Sequence, residues 1–416
     1  MAAFTVNLAF PELKINKVDE TDRAITVFAE TQEMGVKCHV CGQWTDRFHG
    51  YDDARYVQHL PVMGRMLTIC YSPRRYLCIA CNICDVTTTA TPSWHYVKSS
   101  FTYEFEIHVL VALINSTVSD VAIKNGLTEK EVQGIVDRHL AGCVDWGSLD
   151  SLSVLGIDEI TMRKGYSNYI TVITSRKDGK TYLLALIKGR KKKVIKRFLK
   201  SIPSRLKKTV IAICVDMYKG YINAAKEVFK KAAIIVDRYH VAKLYRASLD
   251  KFRQTILAEL KRTLSASEYE AIKNVTHILR RGKEYLSKED KEKVEAIFSH
   301  SFPLSEAYRL SVALTHIFNT HLTVEAALEQ FSDWIAAVRK TKLQCFNKFI
   351  KTLNTFKQEI ANYFIERQTS GFVEGLNNKI KVLKRRCYGI FNLKHMFQRL
   401  HLDISGYRLY ASNIGV

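Results

Sequence analysis

Residues 209–240 read TVIAICVDMYKGYINAAKEVFKKAAIIVDRYH, and this stretch decides the fold class. Ile211–Val215 and Ala233–Val236 are short β-branched runs with the length of buried strands. Between them Lys219–Lys231 has a helical pattern, so the stretch is a strand, a helix and a second strand. Each apolar run stops on an acid, Asp216 and Asp237. Upstream, SVLGIDEI, NYITVITS and TYLLALIKG have the same strand character, and Val154-Leu155-Gly156-Ile157 runs into Asp158. Beyond Val241 the strand signals vanish. Amphipathic patterns rich in Lys, Glu, Leu and Ala continue to about Gln368, and a last helical run starts near Ser370. The expected class is therefore α+β or α/β, a mixed sheet with helices interrupted by an all-helical insertion.

Toward the N-terminus the texture changes. Residues 1–100 hold six of the ten cysteines, Cys38, Cys41, Cys70, Cys78, Cys81 and Cys84. We divide the chain into a cysteine module (1–100), a helical segment (101–146), a first core part (147–245), a helical insertion (246–366) and C-terminal helices (367–416). Lys plus Arg number 63 against 41 Asp plus Glu, a formal charge of +22, while 47% of residues are hydrophobic. A chain that basic and still able to build a core expects a polyanionic partner. No apolar run reaches the ~18 residues of a membrane helix. The opening MAAFTVNLAFPELK has no basic segment ahead of its apolar residues, which argues against a secretory signal. Free cysteines then fit a reducing, cytoplasmic compartment.

Cys38-His-Val-Cys41 and Cys78-Ile-Ala-Cys81 are two CxxC pairs. Two such knuckles present four thiolates, the donor set of one structural Zn²⁺. Cys84 competes with Cys81, His39 is a further competitor, and buried thiols or a redox pair are the bland alternative. Cys70, Cys143, Cys214, Cys345 and Cys387 stand alone and read as core or incidental.

Ser119–Leu140, SDVAIKNGLTEKEVQGIVDRHL, has the layout of a helix-turn-helix. Gly126 supplies the turn, and Thr128 with Glu131 forms a capping box opening the second helix. Val132, Ile135, Val136 and Leu140 make its buried stripe. Lys130, Gln133 and Arg138 lie opposite, where they can reach base edges or phosphates; an ordinary helical hairpin is the alternative. Lys188–Lys208 carries eleven Lys or Arg, among them Arg190, Lys191, Lys192 and Lys193, either a DNA-backbone contact or a solvated surface. Trp334 in the insertion fits core packing better than stacking on a displaced base.

A carboxylate at a strand end is usually a turn or a helix cap. Three in one βα region can instead converge, and convergent carboxylates repel unless a cation lies between them. Asp158, Asp216 and Asp237 therefore suggest Mg²⁺ or Mn²⁺. Near the C-terminus, Phe372, Leu376, Ile380, Leu383 and Cys387 form a helical core stripe. Glu374, Asn377 or Asn378, Lys381 and Arg385 recur on another face, as a metal ligand followed by phosphate contacts or as a solvated face.

Together these residues resemble the ISL-three family of bacterial insertion-sequence transposases, of the DDE type. The resemblance rests on both CxxC pairs, Gly156-Ile157-Asp158-Glu159-Ile160 with Arg163-Lys164-Gly165, Val215-Asp216-Met217-Tyr218, Asp237-Arg238-Tyr239-His240-Val241, and Glu374-Gly375-Leu376-Asn377. Tyr388-Gly389 and Phe391-Asn392 continue the last block. Ser370 departs from the family's more usual Asn. The resemblance implies a ribonuclease H-like core with Asp158, Asp216 and Glu374 as catalytic acids on two divalent ions. Asp158 bridges both ions in that scheme, and Asp237 with His240 matches the family's DxxH signature. Metal-dependent cleavage and strand transfer at double-stranded terminal inverted repeats and target DNA, by a homodimer, are the implied activity. A DNA-binding regulator without catalysis, or a nuclease without strand transfer, are the rival readings.

Overall fold

The computed structural model describes residues 10, 12–81, 86–161, 169–275, 278–280, 286–367 and 371–411, with backbone only at 372–374. The chain forms two compact units. The first takes residues 1–142, 385–389 and 398–416, the second residues 143–384 and 390–397.

The first unit is built on small sheets. Strands β1 (Leu13–Glu20), β2 (Ala24–Thr31), β6 (Arg55–Val62) and β7 (Arg65–Tyr71) form one sheet in the order β1-β2-β7-β6. Strands β3 (Val36–Lys37) and β4 (Trp44–Thr45) pair alone, and β5 (Phe48–Tyr51), β8 (Arg74–Leu77) and β9 (Thr87–Thr89) form a third sheet. On β2, Ile25, Val27 and Ala29 alternate inward, the two-residue period of a strand with one covered face. Strands β3, β4, β5, β8 and β9, of four residues or fewer, are too short for alternation to become a signal, whereas β1, β2, β6 and β7 reach seven or eight residues and also went unread.

Three helices follow: α1 (Tyr103–Leu113), α2 (Val118–Asn125) and α3 (Glu129–His139). Gly126 closes α2 at φ 65°, the left-handed conformation that favours glycine. The expected box at Thr128 and Glu131 is present at the start of α3. Val132, Ile135 and Val136 are fully buried, packed with Phe105, Val109 and Leu113 of α1.

The second unit centres on a five-stranded sheet. The five runs expected as strands are β10 (Ser153–Thr161), β11 (Tyr169–Lys177), β12 (Lys180–Lys188), β13 (Val210–Val215) and β14 (Ala233–Val236). Their order is β12-β11-β10-β13-β14. The first three form an antiparallel meander, whereas β13 runs parallel to β10 and β14 parallel to β13. Asp178-Gly179 links β11 to β12 with both φ values positive, the primed turn that matches strand twist. Helices α4 (Lys192–Ser201) and α5 (Ser204–Lys207) lead into β13, and α6 (Lys219–Val228) supplies the crossover to β14.

The rest of the unit is helical among the described residues. It comprises α7 (Arg238–Thr263), α8 (Ala266–Ile272), α9 (Lys288–His300), α10 (Phe302–Asn319), α11 (Val324–Lys340), α12 (Asn347–Thr355) and α13 (Lys357–Ala361). Trp334 belongs to this core: it is 4% exposed, and its indole N–H donates to the Leu310 carbonyl at 2.7 Å. Helices α14 (Gly371–Arg386) and α15 (Leu393–Tyr410) end the chain and give residues to both units. Among the described residues no helix is long and apolar enough to cross a membrane.

Candidate active site and metal centre

Strand order decides which side chains meet. Parallel strands β10, β13 and β14 end on the same edge of the sheet, so Asp158, which falls within β10, comes together with the residues that follow β13 and β14. Asp158, Asp216, Asp237 and His240 line one cavity of about 450 Å³, with Lys243, Asn377, Lys381 and Lys384 also on its wall.

Burial and the neighbouring Asp216 and Glu159 charges raise the pKa of Asp158, while the Glu159 backbone N–H and His240 pull against that rise. The Glu159 N–H donates to Asp158 Oδ1 at 2.7 Å, and Asn377 Nδ2 donates to Asp158 Oδ2 at 2.6 Å. His240 Nδ1 lies 3.2 Å from Asp216 Oδ1. Asp237, 4% exposed, is the N-cap of α7 and accepts from the Tyr239 N–H at 2.7 Å. The third acid does double service, as cap and as cavity wall. Glu374 lies in the first turn of α14, and its side chain falls outside the described residues. Arg163, Lys164, Gly165, Ser370 and Cys84 fall outside them too.

On α14, Leu376, Ile380 and Leu383 are buried as expected. Asn377, expected on a polar face, is 5% exposed and turned to Asp158, while Lys381 and Arg385 are exposed. The Asn377 Oδ1 atom is buried without a hydrogen-bond partner among the described residues.

Several cations read as DNA contacts already have protein partners. Arg138 donates to Glu106 at 2.9 Å, and Lys192 is paired with Glu227. Arg190 donates to both Glu159 oxygens, at 3.1 and 3.3 Å. Gln133 lies at 3.4 Å from Gln398. Lys130, Lys191 and Lys193 are exposed. Glu159 and Arg190 were legible only as part of a motif and of a basic run; nothing in their spacing announced a pair.

In the first unit, Cys38, Cys41, Cys78 and Cys81 place their sulfurs within 4.8 Å of one another. The Cys38–Cys81 and Cys41–Cys78 sulfur separations are both 3.5 Å. Among the described residues this is the one group of three or more ligating side chains drawn together closely enough to share an ion. Backbone N–H groups of Cys41 and Val40 lower the pKa of the Cys38 thiol to about 6. A pre-aligned thiolate and three neighbours can hold zinc. Cys70 and Cys214 are buried, Cys345 and Cys387 partly so, and Cys143 is exposed.

A family model described as a transposase, of the DDE type and ISL-three group, matches residues 155–400. The transposase for insertion sequence element IS1001 of Bordetella parapertussis is 22% identical over 392 residues, covering 93% of each chain. The transposase for IS1557 of Mycobacterium tuberculosis is 20% identical over 398 residues, covering 89% of this chain and 86% of its own.

Proposed function

From the family to which this chain belongs, the ISL-three DDE transposases of insertion sequences, we propose that it cuts and joins double-stranded DNA at an acidic site made by Asp158, Asp216 and Glu374. The observation that carries the proposal is the convergence of Asp158, Asp216, Asp237 and His240 on one cavity. A sheet ordered β12-β11-β10-β13-β14, with an antiparallel meander and two parallel strands, supports the ribonuclease H-like reading of the core.

The cavity suits a hard divalent cation. Its donors are carboxylates, and the unpartnered Asn377 Oδ1 adds a buried amide oxygen beside them. Burial chiefly, and the Asp216 and Glu159 charges after it, raise the pKa of Asp158, and a cation in the cavity would favour its charged form. Asp158, Asp216 and Glu374 would hold two Mg²⁺ or Mn²⁺ ions. Such ions supply an activated water and charge stabilisation for the leaving oxygen. Asn377 orients Asp158. His240, beside Asp216, is placed to contact the phosphate or to pass a proton. Asp237 fixes the start of α7, and with it the position of His240.

Binding falls to other residues. The α2–α3 pair, read as a helix-turn-helix, offers Lys130 and Gln133 to the terminal inverted repeats. Lys191, Lys193, Lys381 and Arg385 face the phosphate backbone. The cysteine quartet holds one structural Zn²⁺ that rigidifies the first module. Two ends must be joined, so a homodimer is the smallest working assembly, and the cytoplasm is its compartment.

The test is an assay with the element's own labelled terminal repeats and Mg²⁺. Cutting followed by joining is expected, and Asp158→Ala should abolish both while leaving end binding. Binding alone would favour a regulator, cutting alone a nuclease. Retained cleavage by Asp158→Ala would overturn the acid assignment.

A further inference from the structure

Next to the acids lies a cation that the proposed chemistry does not use. Arg190, at the junction of β12 and α4, packs its guanidinium 4.1 Å from the Tyr169 ring centroid and 5.0 Å from that of Tyr218. Its Nη1 donates to both oxygens of Glu159. Tyr221, fully buried, reaches Glu159 Oε2 at 3.4 Å and exchanges a 2.9 Å hydrogen bond with Thr171. Thr171 in turn donates to the Gly189 carbonyl, one residue before Arg190.

Two of these partners belong to acid-bearing segments. Glu159 follows Asp158 on β10, and Tyr218 comes two residues after Asp216. Tyr169 opens β11, the antiparallel neighbour of β10. One planar cation thus holds three segments on which the separation of Asp158 and Asp216 depends. It also occupies the carboxylate of Glu159, which lines the same cavity as the acids. A carboxylate there without a counter-charge would be a further ligand for a hard cation.

We propose that Arg190 is a positioning residue: it clamps the ends of β10 and β11 and the turn after β13, and it withholds Glu159 from the metal set. This rests on the metal-dependent reading above. Arginine suits the role because a flat fork both chelates a carboxylate and stacks between rings, which lysine does not.

The test is a double-mutant cycle on the full chain, Arg190→Gln, Glu159→Gln and the pair. It is read by Mn²⁺ titration calorimetry and by cleavage of terminal-repeat DNA. Arg190→Gln should tighten or add Mn²⁺ binding as Glu159 is released, and should slow cleavage by about tenfold or more. Glu159→Gln alone should leave Mn²⁺ stoichiometry unchanged. The pair should return Mn²⁺ binding to the wild-type pattern and regain the part of cleavage lost to the freed Glu159, while staying below wild type because the clamp is gone. Arg190→Lys, which retains charge without the fork, should fall between wild type and Arg190→Gln. Loss of Mn²⁺ sites in Glu159→Gln would make Glu159 a ligand and overturn the proposal. A pair no better than Arg190→Gln in both readouts would overturn it as well. Should Arg190→Gln not fold, the Glu159→Gln stoichiometry and the Arg190→Lys binding decide the matter. If the wild type binds Mn²⁺ but cuts nothing, the transposase mechanism fails while the Mn²⁺ cycle still judges the clamp.

Discussion

Glu106 is a fully buried carboxylate in α1 of the first unit. It accepts from Arg138 Nε at 2.9 Å, His139 Nε2 at 2.6 Å and Ser99 Oγ at 2.7 Å. Burial works against its charge, but these three donors outweigh burial and hold its pKa below the ordinary carboxylate value. Two of them come from the last turn of α3, so this one acid fixes the C-terminal end of the helix proposed to meet DNA. In Glu106→Gln the shape is kept, the charge is lost, and one oxygen becomes a donor facing donors. Charge-assisted hydrogen bonds are worth about 1.5–3 kcal/mol each. The Arg138 side chain is 30% exposed and recovers part of its loss in water, whereas His139, at 9%, does not. The expected cost is about 3 kcal/mol, or a drop in Tm of roughly 6–12 °C for a unit of this size. The sign of the pH dependence follows from a depressed carboxylate: the stabilisation is present above the unfolded-state pKa and is lost as pH falls through the folded one. Thermal denaturation of wild type and variant should therefore diverge at pH 7 and converge below about pH 4. A difference under about 0.5 kcal/mol at pH 7, or one that grows on acidification, would refute the reasoning.

Three further outcomes are expected. Chelation should remove one zinc per chain and unfold the first module, and Cys38→Ser should purify with less than one zinc by elemental analysis. Replacing Lys191 and Lys193 together with Gln should lower the salt dependence of DNA binding by about two in slope, measured by a filter-binding salt titration; Lys192→Gln, whose partner is Glu227, should change it less. Trp334→Ala should cost about 3–5 kcal/mol in denaturant unfolding, through its buried ring and its bond to Leu310, and Trp334→Phe less.

The central sheet was legible because its strands are continuous and buried, and Asp216 and Asp237 stand just past the ends of β13 and β14, whereas Asp158 falls within β10. The caps at Thr128 and Glu131 were legible because the capping box is a local code. Asn377 was read on a face apart from the Leu376–Ile380–Leu383 stripe, and on that face it meets Asp158, 219 residues earlier. No local pattern encodes a partner at that distance. The same holds for Arg138, Arg190 and Lys192. A basic residue in sequence looks free, and only the fold reveals the Glu106, Glu159 or Glu227 carboxylate opposite.

Both units take elements from the end of the chain. Arg399 of α15, 1% exposed, caps carbonyls of Leu113 and Ser116 in the first unit, and Asn377 of α14 reaches Asp158 in the second. Translation adds about 5–20 residues per second, so some 10–45 s separate the synthesis of Asp158 from that of Asn377. For that interval the nascent polypeptide carries its aspartates with no α14 to order them, and Arg399 has yet to be made. A ribosome that stalls or terminates early therefore releases a product lacking the closing piece of either unit. Neither unit can close before the last helices of the chain have been made.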